Sequence, residues 1–436
     1  MEKIRSALSE RTEKRALPIV ISTIFLDVLG VGILGPVLPQ LIFRIFEPAG
    51  YSYKSSLLML AYLIAIYPFM QFIATPILGQ LSDRYGRKPI LSFSLFGTAL
   101  GYVLFAIAII TKNIPLLFIA RAMDGITGGN ISVARAVIAD VSSPEKRTAN
   151  FAKIGAAFGA GFVFGPYIGA RLASPGVSFF GLFDTPHWFG PAVPFWFAAI
   201  LSTINAFLVI GVLPETHKHI NSQLKLAWNK SLVNIKNAVV HPALRVILSS
   251  EFLFWGGFTF FTTFFQILLI QKLGFKVNNI GDYFAYIGIW IVLSQAIVTP
   301  YIAKRFSNST VLRFSLIGNG LALFALIWPQ NTAQLLLVTP FFAIFNGLTM
   351  ANLSALVSSS AGKKIQGEVL GIEASVQALA QSIPAVVAGY TAALGINVPV
   401  IVGGSVVVFG GLLFNVFYRK PKHALNQEEP AVAMGH

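Results

Sequence analysis

The sequence predicts an all-α integral membrane protein with twelve transmembrane helices in two six-helix pseudo-repeated bundles and both termini cytoplasmic. Three observations predict it. First, the 436 residues are 55% hydrophobic and only 11% charged, with mean hydropathy +0.72, whereas a soluble domain carries roughly 25% charged residues. Second, apolar runs recur at roughly 17–43, 57–79, 90–110, 115–141, 150–171, 193–213, 245–270, 280–302, 311–328, 333–359, 366–392 and 398–418. Each meets or approaches the ~20 residues a crossing helix needs. Third, the segments between runs alternate in charge. One side holds 24 Lys and Arg, the other 6, and Arg121 and Arg135 lie inside the fourth run. The basic side is cytoplasmic by the positive-inside rule. The expected division is a cytoplasmic segment 1–16, a six-helix bundle 17–213, a cytoplasmic linker 214–244, a second bundle 245–418 and a cytoplasmic tail 419–436.

The same observations exclude other classes. The net charge of +15 follows topology, with some attraction to anionic lipid, and no nucleic-acid partner is implied. There is no cysteine, hence no disulfide or thiol chemistry. All six histidines fall outside the apolar runs, so neither a metal site nor an intramembrane His relay is expected. No Walker loop or nucleophile–base–acid set is present, and an enzyme is not expected.

The first run is too long for a signal-peptide core and reads as a retained span. It carries Asp27, ten residues in, and ~15 Å deep at the helical rise. An acid there costs ~2.5–3.5 kcal/mol and must face the protein interior or a water-filled cavity. It is either a permanently bonded structural acid or a group that serves protons or substrate. Gly30, Gly32, Gly35, Pro36 and Pro39 follow it. In the second run Tyr67 and Gln71 are i, i+4 near the middle, and either line a cavity or bond a neighbouring helix. The stretch from Gly79 to Leu91 is a short basic hairpin, with Gly79, Asp83, Arg84, Gly86, Arg87, Lys88 and Pro89 shaping a turn between antiparallel helices. Asp83 can meet a helix N-terminus or pair with Arg84 or Arg87.

The fourth run is the polar one. Arg121, Asp124, Gly128, Ser132 and Arg135 share one face by 3/4 spacing. Arg121 and Asp124 either satisfy each other, or Arg121 pairs with Asp27 until substrate or conformation separates them. Asp140, at the cytoplasmic end, is placed to meet Arg87. The fifth run presents Gly161, Gly165, Pro166 and Gly169, which suit close helix packing and a kink at Gly165–Pro166. Residues 172–192 form an aromatic outer loop, either an interface anchor or a lid. The linker has room for a short amphipathic helix on the membrane.

The two halves repeat. Asp124–Asn130 aligns with Asn346–Asn352 at an offset of 222, Asp83–Arg87 with Lys304–Asn308 at 221, and Pro166 with Pro384 at 218. Such repeats place a site between the halves near the midplane. In the second half Glu251 lies ~10 Å and Glu373 ~11 Å into their runs. Glu373, Gln377 and Gln381 form a polar stripe. Trp255, Phe258, Phe261 and Phe265, with Trp290 and Gln295, supply an apolar wall, as ligand contacts or as packing.

Several of these patterns carry a resemblance. Gly79, then Asp83-Arg84 and Gly86-Arg87-Lys88, is similar to the signature loop of the major facilitator superfamily. The resemblance implies the major facilitator fold and a cytoplasmic latch, at Asp83 and Arg87, that stabilises the outward-facing state. The Asp27 run with its glycines and Pro36-x-x-Pro39 resembles the first span of the tetracycline-efflux branch of 12-span drug:proton antiporters. Arg121 followed by Gly125 and Gly128 resembles the fourth-span motif whose Arg is linked to proton transfer, and Gly165-Pro166-x-x-Gly169 resembles the antiporter motif. Ala170 in place of a final Gly and the lack of an acid near Gly101-Tyr102 depart from the pattern, as does Asp124, which together with Glu373 points to a different ligand.

The expectation that follows is a secondary active transporter exporting a small, largely apolar or amphipathic compound against protons by alternating access. Asp27, Arg121 and Asp124 would couple the proton. Tyr67, Gln71, Glu251, Trp255, Trp290, Asn346, Glu373 and Gln377 would face substrate. The proton gradient, not a cofactor, would supply the energy. Protons, membrane lipid and the small-molecule substrate are the expected partners of a monomer in a bacterial cytoplasmic (inner) membrane. An importer of a nutrient or metal chelate uses the same fold and acids. A receptor or scaffold would need a signalling domain, and no large soluble one is in the chain.

Overall fold

The computed structural model describes residues 2–142, 144–179, 181–216, 226–240, 242–360 and 366–419. Most of the tail and part of the linker, residues 217–225, lie outside the described residues. The chain is helical nearly throughout. In order come α1 (Glu2–Leu34), a π turn at Ile42–Phe46, α2 (Tyr53–Tyr85), α3 (Arg87–Thr111), α4 (Ile114–Thr127), α5 (Asn130–Val141), α6 (Pro144–Leu172) and α7 (Val193–Val212). Then follow α8 (Lys230–Val240), α9 (Pro242–Leu273), α10 (Val277–Leu293), a π turn at Ser294–Val298, α11 (Thr299–Ala303), α12 (Asn308–Ala325), α13 (Thr332–Ser359), α14 (Gln366–Leu394) and α15 (Val398–Phe417). Eight helices among the described residues are long and apolar enough to cross a membrane. The α4–α5 pair, α6, α12 and α14 complete an order compatible with twelve crossings.

Four features differ from the sequence reading. Helix α1 starts at Glu2, so the residues before 17 are helical and continuous with the first span, whose apolar part is Arg15–Leu34. The fourth run is two helices, because consecutive glycines 128 and 129 end α4 and Asn130 starts α5. The hairpin after Gly79 is hardly a loop. Helix α2 runs on to Tyr85, and Gly86 alone, at φ +100°, turns the chain into α3. The outer loop holds a small antiparallel ladder, pairing Ser178 with Asp184 and Phe179 with Phe183. Helix α6 continues through Pro166.

Small residues set the packing. Gly161, Gly165 and Gly169 repeat every four residues, so they line one face of α6. A Cβ at Gly161 would stand 2.7 Å from Val28, and one at Gly165 would stand 2.8 Å from the Cα of Gly32 and the carbonyl of Leu29. Only bare backbone lets α6 approach α1 this closely. The neighbouring face of α6 meets the second half. A Cβ on Gly281 would stand 2.7 Å from the Pro166 carbonyl and run into Ala170, and one on Gly288 would meet Val163 at 2.8 Å. Ala170 therefore fits because its partner in α10 is a glycine.

The two halves touch at the outer, less basic side and part at the inner one. On the outer half of α2 and α14, Ala61 lies against Gly389, and the hydroxyls of Tyr62 and Tyr390 bond at 2.9 Å. Arg171 of α6 pairs with Asp282 of α10 at 2.8 Å, and the Gln271 amide bonds the Tyr53 hydroxyl. Helices α2 and α14 run antiparallel. Counting eighteen residues inward from Ala61 and Gly389 sets Gly79 opposite Gly371, yet a Cβ on either would meet nothing within 4 Å. Gly155 on the inner half of α6 is equally free, whereas Gly159, one turn outward, still meets Val292. The direct contacts between the halves named here thus lie on the outer side.

Helix α8 fills part of that inner gap. Its Ser231 hydroxyl donates to the Phe72 carbonyl of α2 at 2.6 Å, and its Asn234 amide donates to the Ser375 hydroxyl of α14 at 3.1 Å. It docks on both halves and leaves Leu232, Val239 and Val240 exposed.

Candidate functional site

The first group forms around Asp27. The Asn130 amide donates to its Oδ2 at 2.8 Å. Asn130 reaches α1 because the break at Gly128–Gly129 starts a new helix at that residue. Three residues along α1, Gly30 lets the Tyr102 ring close in, since a Cβ there would stand 3.1 Å from the ring's Cζ. Asp27 itself is half-buried.

Beside it, Arg121 and Asp124 are buried and paired at 2.9 Å. The Arg121 guanidinium also lies over the Tyr67 ring, 4.2 Å from its centroid. Glycines again permit the approach, as a Cβ at Gly128 would stand 2.6 Å from the Tyr67 hydroxyl. Gln71 donates to the Gly128 carbonyl at 2.9 Å. The structure thus brings together Asp27, Tyr67, Gln71, Arg121 and Asp124. Of the two arrangements open to Arg121, it takes the pair with Asp124 and not with Asp27, because i, i+3 spacing on α4 brings the two side chains together without any help from α1. An ion pair this deep is costly to form and costlier to break on one side. The buried Nε of Arg121 and Oδ1 of Asn130 have no partner, so the group retains spare hydrogen-bonding capacity.

The second group is the inner turn. Arg87, only 8% exposed, pairs with Asp83 at 2.7 Å and with Asp140 at 3.1 Å, and donates to the Ser82 hydroxyl at 2.6 Å. Its guanidinium ties the end of α2 to the end of α5. The Glu215 carboxylate, after α7, accepts from the backbone N–H groups of Arg87 and Lys88 at 3.0 and 3.1 Å. An acid at the start of α3 complements the helix dipole. Gly86 must be glycine here, because its φ is positive and a Cβ would stand 2.5 Å from that carboxylate. Arg84 turns away, over the Tyr85 ring at 5.2 Å.

The third group lies in the second half. Glu251 of α9 is 2% exposed and Glu373 of α14 is 6% exposed. The Ser354 hydroxyl of α13 donates to Glu373 at 3.3 Å. Trp255 stands in a ring cluster, 5.5 Å from Phe254 and 5.8 Å from Phe258, which continues to Phe261 and Phe342. Trp290 meets the Tyr286 ring edge-on at 6.2 Å. Asn346 is fully buried with both amide atoms unpartnered, and Gln377 is half-buried. No hydrogen bond among the described residues joins Trp290, Asn346 or Gln377 to Glu251 or Glu373.

Asn130, Tyr102 and Glu215 were not singled out from the sequence. Asn130 does recur as Asn352 in the repeat, a signal that could have found it. Glu215 is the acid that closes the sixth run.

Comparison with known proteins follows the same outline. The family model described as Major Facilitator Superfamily matches residues 20–385 and 301–433. The chain is 28% identical over 362 residues to the class E tetracycline resistance protein of Escherichia coli, covering 82% of this chain and 83% of that protein. It is 24% identical over 418 residues to multidrug resistance protein 2 of Bacillus subtilis (strain 168), covering 94% and 97%. Among solved structures, the crystal structure of the human organic anion transporter MFSD10 (TETRAN) superposes with a TM-score of 0.70 at 22% identity, covering 92% of this chain and 99% of that one.

Proposed function

The chain belongs to the major facilitator superfamily, a multi-pass integral membrane transporter, and from that premise we propose that it exports a small, largely apolar or amphipathic compound in exchange for protons. The relatives named for tetracycline and multidrug resistance support the direction and the substrate class. The membrane would be the cytoplasmic membrane of a bacterium.

One observation carries the proton reading. Asp27 lies deep in α1, half-buried, held by a neutral amide and not by a cation. Arg121 is already engaged by Asp124. A carboxyl without a fixed counter-ion can change protonation when its surroundings change, because burial disfavours the charged form and hydration or a nearby cation favours it. Opening of the inner side would give such a group access to the cytoplasm. Closure of the inner side would bring α2 and α14 together near Gly79 and Gly371, beside the Asp83–Arg87–Asp140 group. That group would then serve as the latch of the opposite state. Binding of a compound shifts the equilibrium between states only by its differential affinity for them. The half-buried rings of Trp255 and Phe258, backed by the core residue Phe342, support apolar recognition.

Inside-out membrane vesicles test the direction. With the vesicle interior acidified, a fluorescent tetracycline or a multidrug dye should accumulate inside, and collapse of the pH gradient should release it. Accumulation in right-side-out cells or vesicles instead would establish an importer.

A further inference from the structure

Helix α8 presents three faces, and only one of them is turned to the bundle. Ser231, Asn234 and Ala238 recur at i, i+3 and i+7 and are all buried. Asn234 also donates to the Gly371 carbonyl at 3.4 Å. Just before the helix, the backbone of Ala227 exchanges two hydrogen bonds with the Gln80 side chain, at 2.8 and 3.3 Å. About 100° further round the helix come Leu232 and Val239, with Trp228 one turn before Leu232. These three are 67%, 65% and 71% exposed, so a Trp, a Leu and a Val form one apolar arc outside the protein. The remaining arc carries Lys230 and Lys236.

The level of α8 identifies what the apolar arc meets. Gln80 stands at the inner end of the apolar run of α2. Phe72, whose carbonyl holds Ser231, lies seven residues inside the end of that run at 79, or ~10 Å. That is the depth at which an amphipathic helix lies in the boundary between headgroups and acyl chains. Charge selects the kind of lipid. No Asp or Glu occurs between Glu215 and Glu251, while Lys218, Lys225, Lys230, Lys236 and Arg245 do. Helix α8 packs against α2, α9 and α14. Of the acids on those helices, Asp83 is held by Arg87, and Glu251 and Glu373 are buried; the side chain of Glu368 lies outside the described residues. Among the described residues neither Lys230 nor Lys236 forms an ion pair. The positive-inside rule accounts for basic residues on this side of the membrane, but not for an apolar arc beside them.

We infer that α8 is an inner-leaflet lipid site, in which Trp228, Leu232 and Val239 enter the acyl layer and Lys230 and Lys236 recognise anionic phospholipid headgroups. The site stands whether or not the protein exchanges protons.

The chain has no cysteine, so Leu232→Cys, Val239→Cys and Asn229→Cys each give the full chain a single labelling position for a bimane fluorophore. The labelled proteins are placed in nanodiscs of phosphatidylethanolamine and phosphatidylglycerol in equal parts, with bromine on the acyl chains of one lipid at a time. Labels at 232 and 239 should be quenched by brominated lipid and shielded from aqueous acrylamide, and the label at 229 should show the reverse. Brominated phosphatidylglycerol should quench more than brominated phosphatidylethanolamine, with a local enrichment of about fivefold per lysine. Lys230→Gln with Lys236→Gln should abolish the enrichment, whereas Lys304→Gln with Arg305→Gln, an equal loss of charge elsewhere, should keep it. The labels beside native lysines test the acyl contact should a charge variant misfold. Acrylamide reaching 232 and 239 as freely as 229, or shielding from both quenchers that grows with protein concentration, as against a second copy, overturns the lipid face. Equal quenching by the two brominated lipids, or an enrichment unmoved by the change at Lys230 and Lys236, overturns headgroup recognition.

Discussion

Removing the carboxylate that clasps the outer side should tip the molecule toward its opposite state. Arg171 and Asp282 join α6 of one half to α10 of the other at 2.8 Å. The guanidinium is 11% exposed and the carboxylate 45% exposed, so the pair lies between the surface and the interior. An exposed pair contributes ~0.2–1 kcal/mol, and the buried Nε and Nη1 of Arg171, which lack partners, put this pair at the upper end. At 1.4 kcal/mol per tenfold, ~1 kcal/mol moves the ratio of states about fivefold. Asp282→Ala should shift the population about that far toward the form open outside. Arg171→Ala should shift it about as far, because the other contact of the guanidinium, over the Tyr167 ring at 4.6 Å, lies within α6 and does not cross between the halves. The chain has no cysteine, so Lys54→Cys with Leu394→Cys gives a unique spin-label pair across the outer seam. Both positions are exposed at the rim of a cavity of about 270 Å³ between the halves. Electron–electron distance measurements should show a long-distance component that grows in the Asp282→Ala variant and is less affected at high salt, where the pair is already screened. An unchanged distance distribution would refute the assignment of this pair as an outer clasp.

Three further outcomes follow from packing. Gly165→Leu drives a side chain into the backbone of α1 and should cost ~1–3 kcal/mol by overpacking, read as a lowered melting temperature in detergent; an unaltered transition would contradict the close α1–α6 approach. Gly86→Ala forces a glycine-only positive-φ extended conformation on a residue with a Cβ, at a cost of ~1–3 kcal/mol, and crowds Glu215. It should lower stability more than Glu215→Gln, which keeps an acceptor for the α3 amides, and the reverse order would be wrong for this turn. Ser231→Ala with Asn234→Ala removes the bonds of α8 to α2 and α14, ~0.5–1.5 kcal/mol each. A thiol at Gly79→Cys should then react more slowly with an impermeant reagent as the inner side closes; an equal rate would mean that α8 does not hold it apart.

The spans and the repeat were legible because they rest on composition, run length and charge, which do not depend on how helices meet. The Arg121–Asp124 pair was legible as one of two options, since i, i+3 spacing on a helix is a local fact. The partner of Asp27 was not, because Asn130 reaches it only through the turn at Gly128–Gly129, whose direction depends on how α5 lies against α1. Glu215 escaped notice for a similar reason: an acid after the sixth span becomes a cap for α3 only when α7 lies alongside it. Which side of the molecule is open is also beyond the sequence, as one chain must adopt both arrangements.

Proton exchange through Asp27 is the central claim, and proteoliposomes test it most directly. Vesicles carrying a pH-sensitive dye and an imposed gradient are exposed to a panel of tetracyclines and multidrug dyes, with wild type beside Asp27→Asn. Compound-triggered dissipation of the gradient in wild type, lost in Asp27→Asn while the variant still binds the compound, is the predicted result. Equal dissipation by both proteins, or labelled compound crossing with no proton movement in wild type, would contradict it.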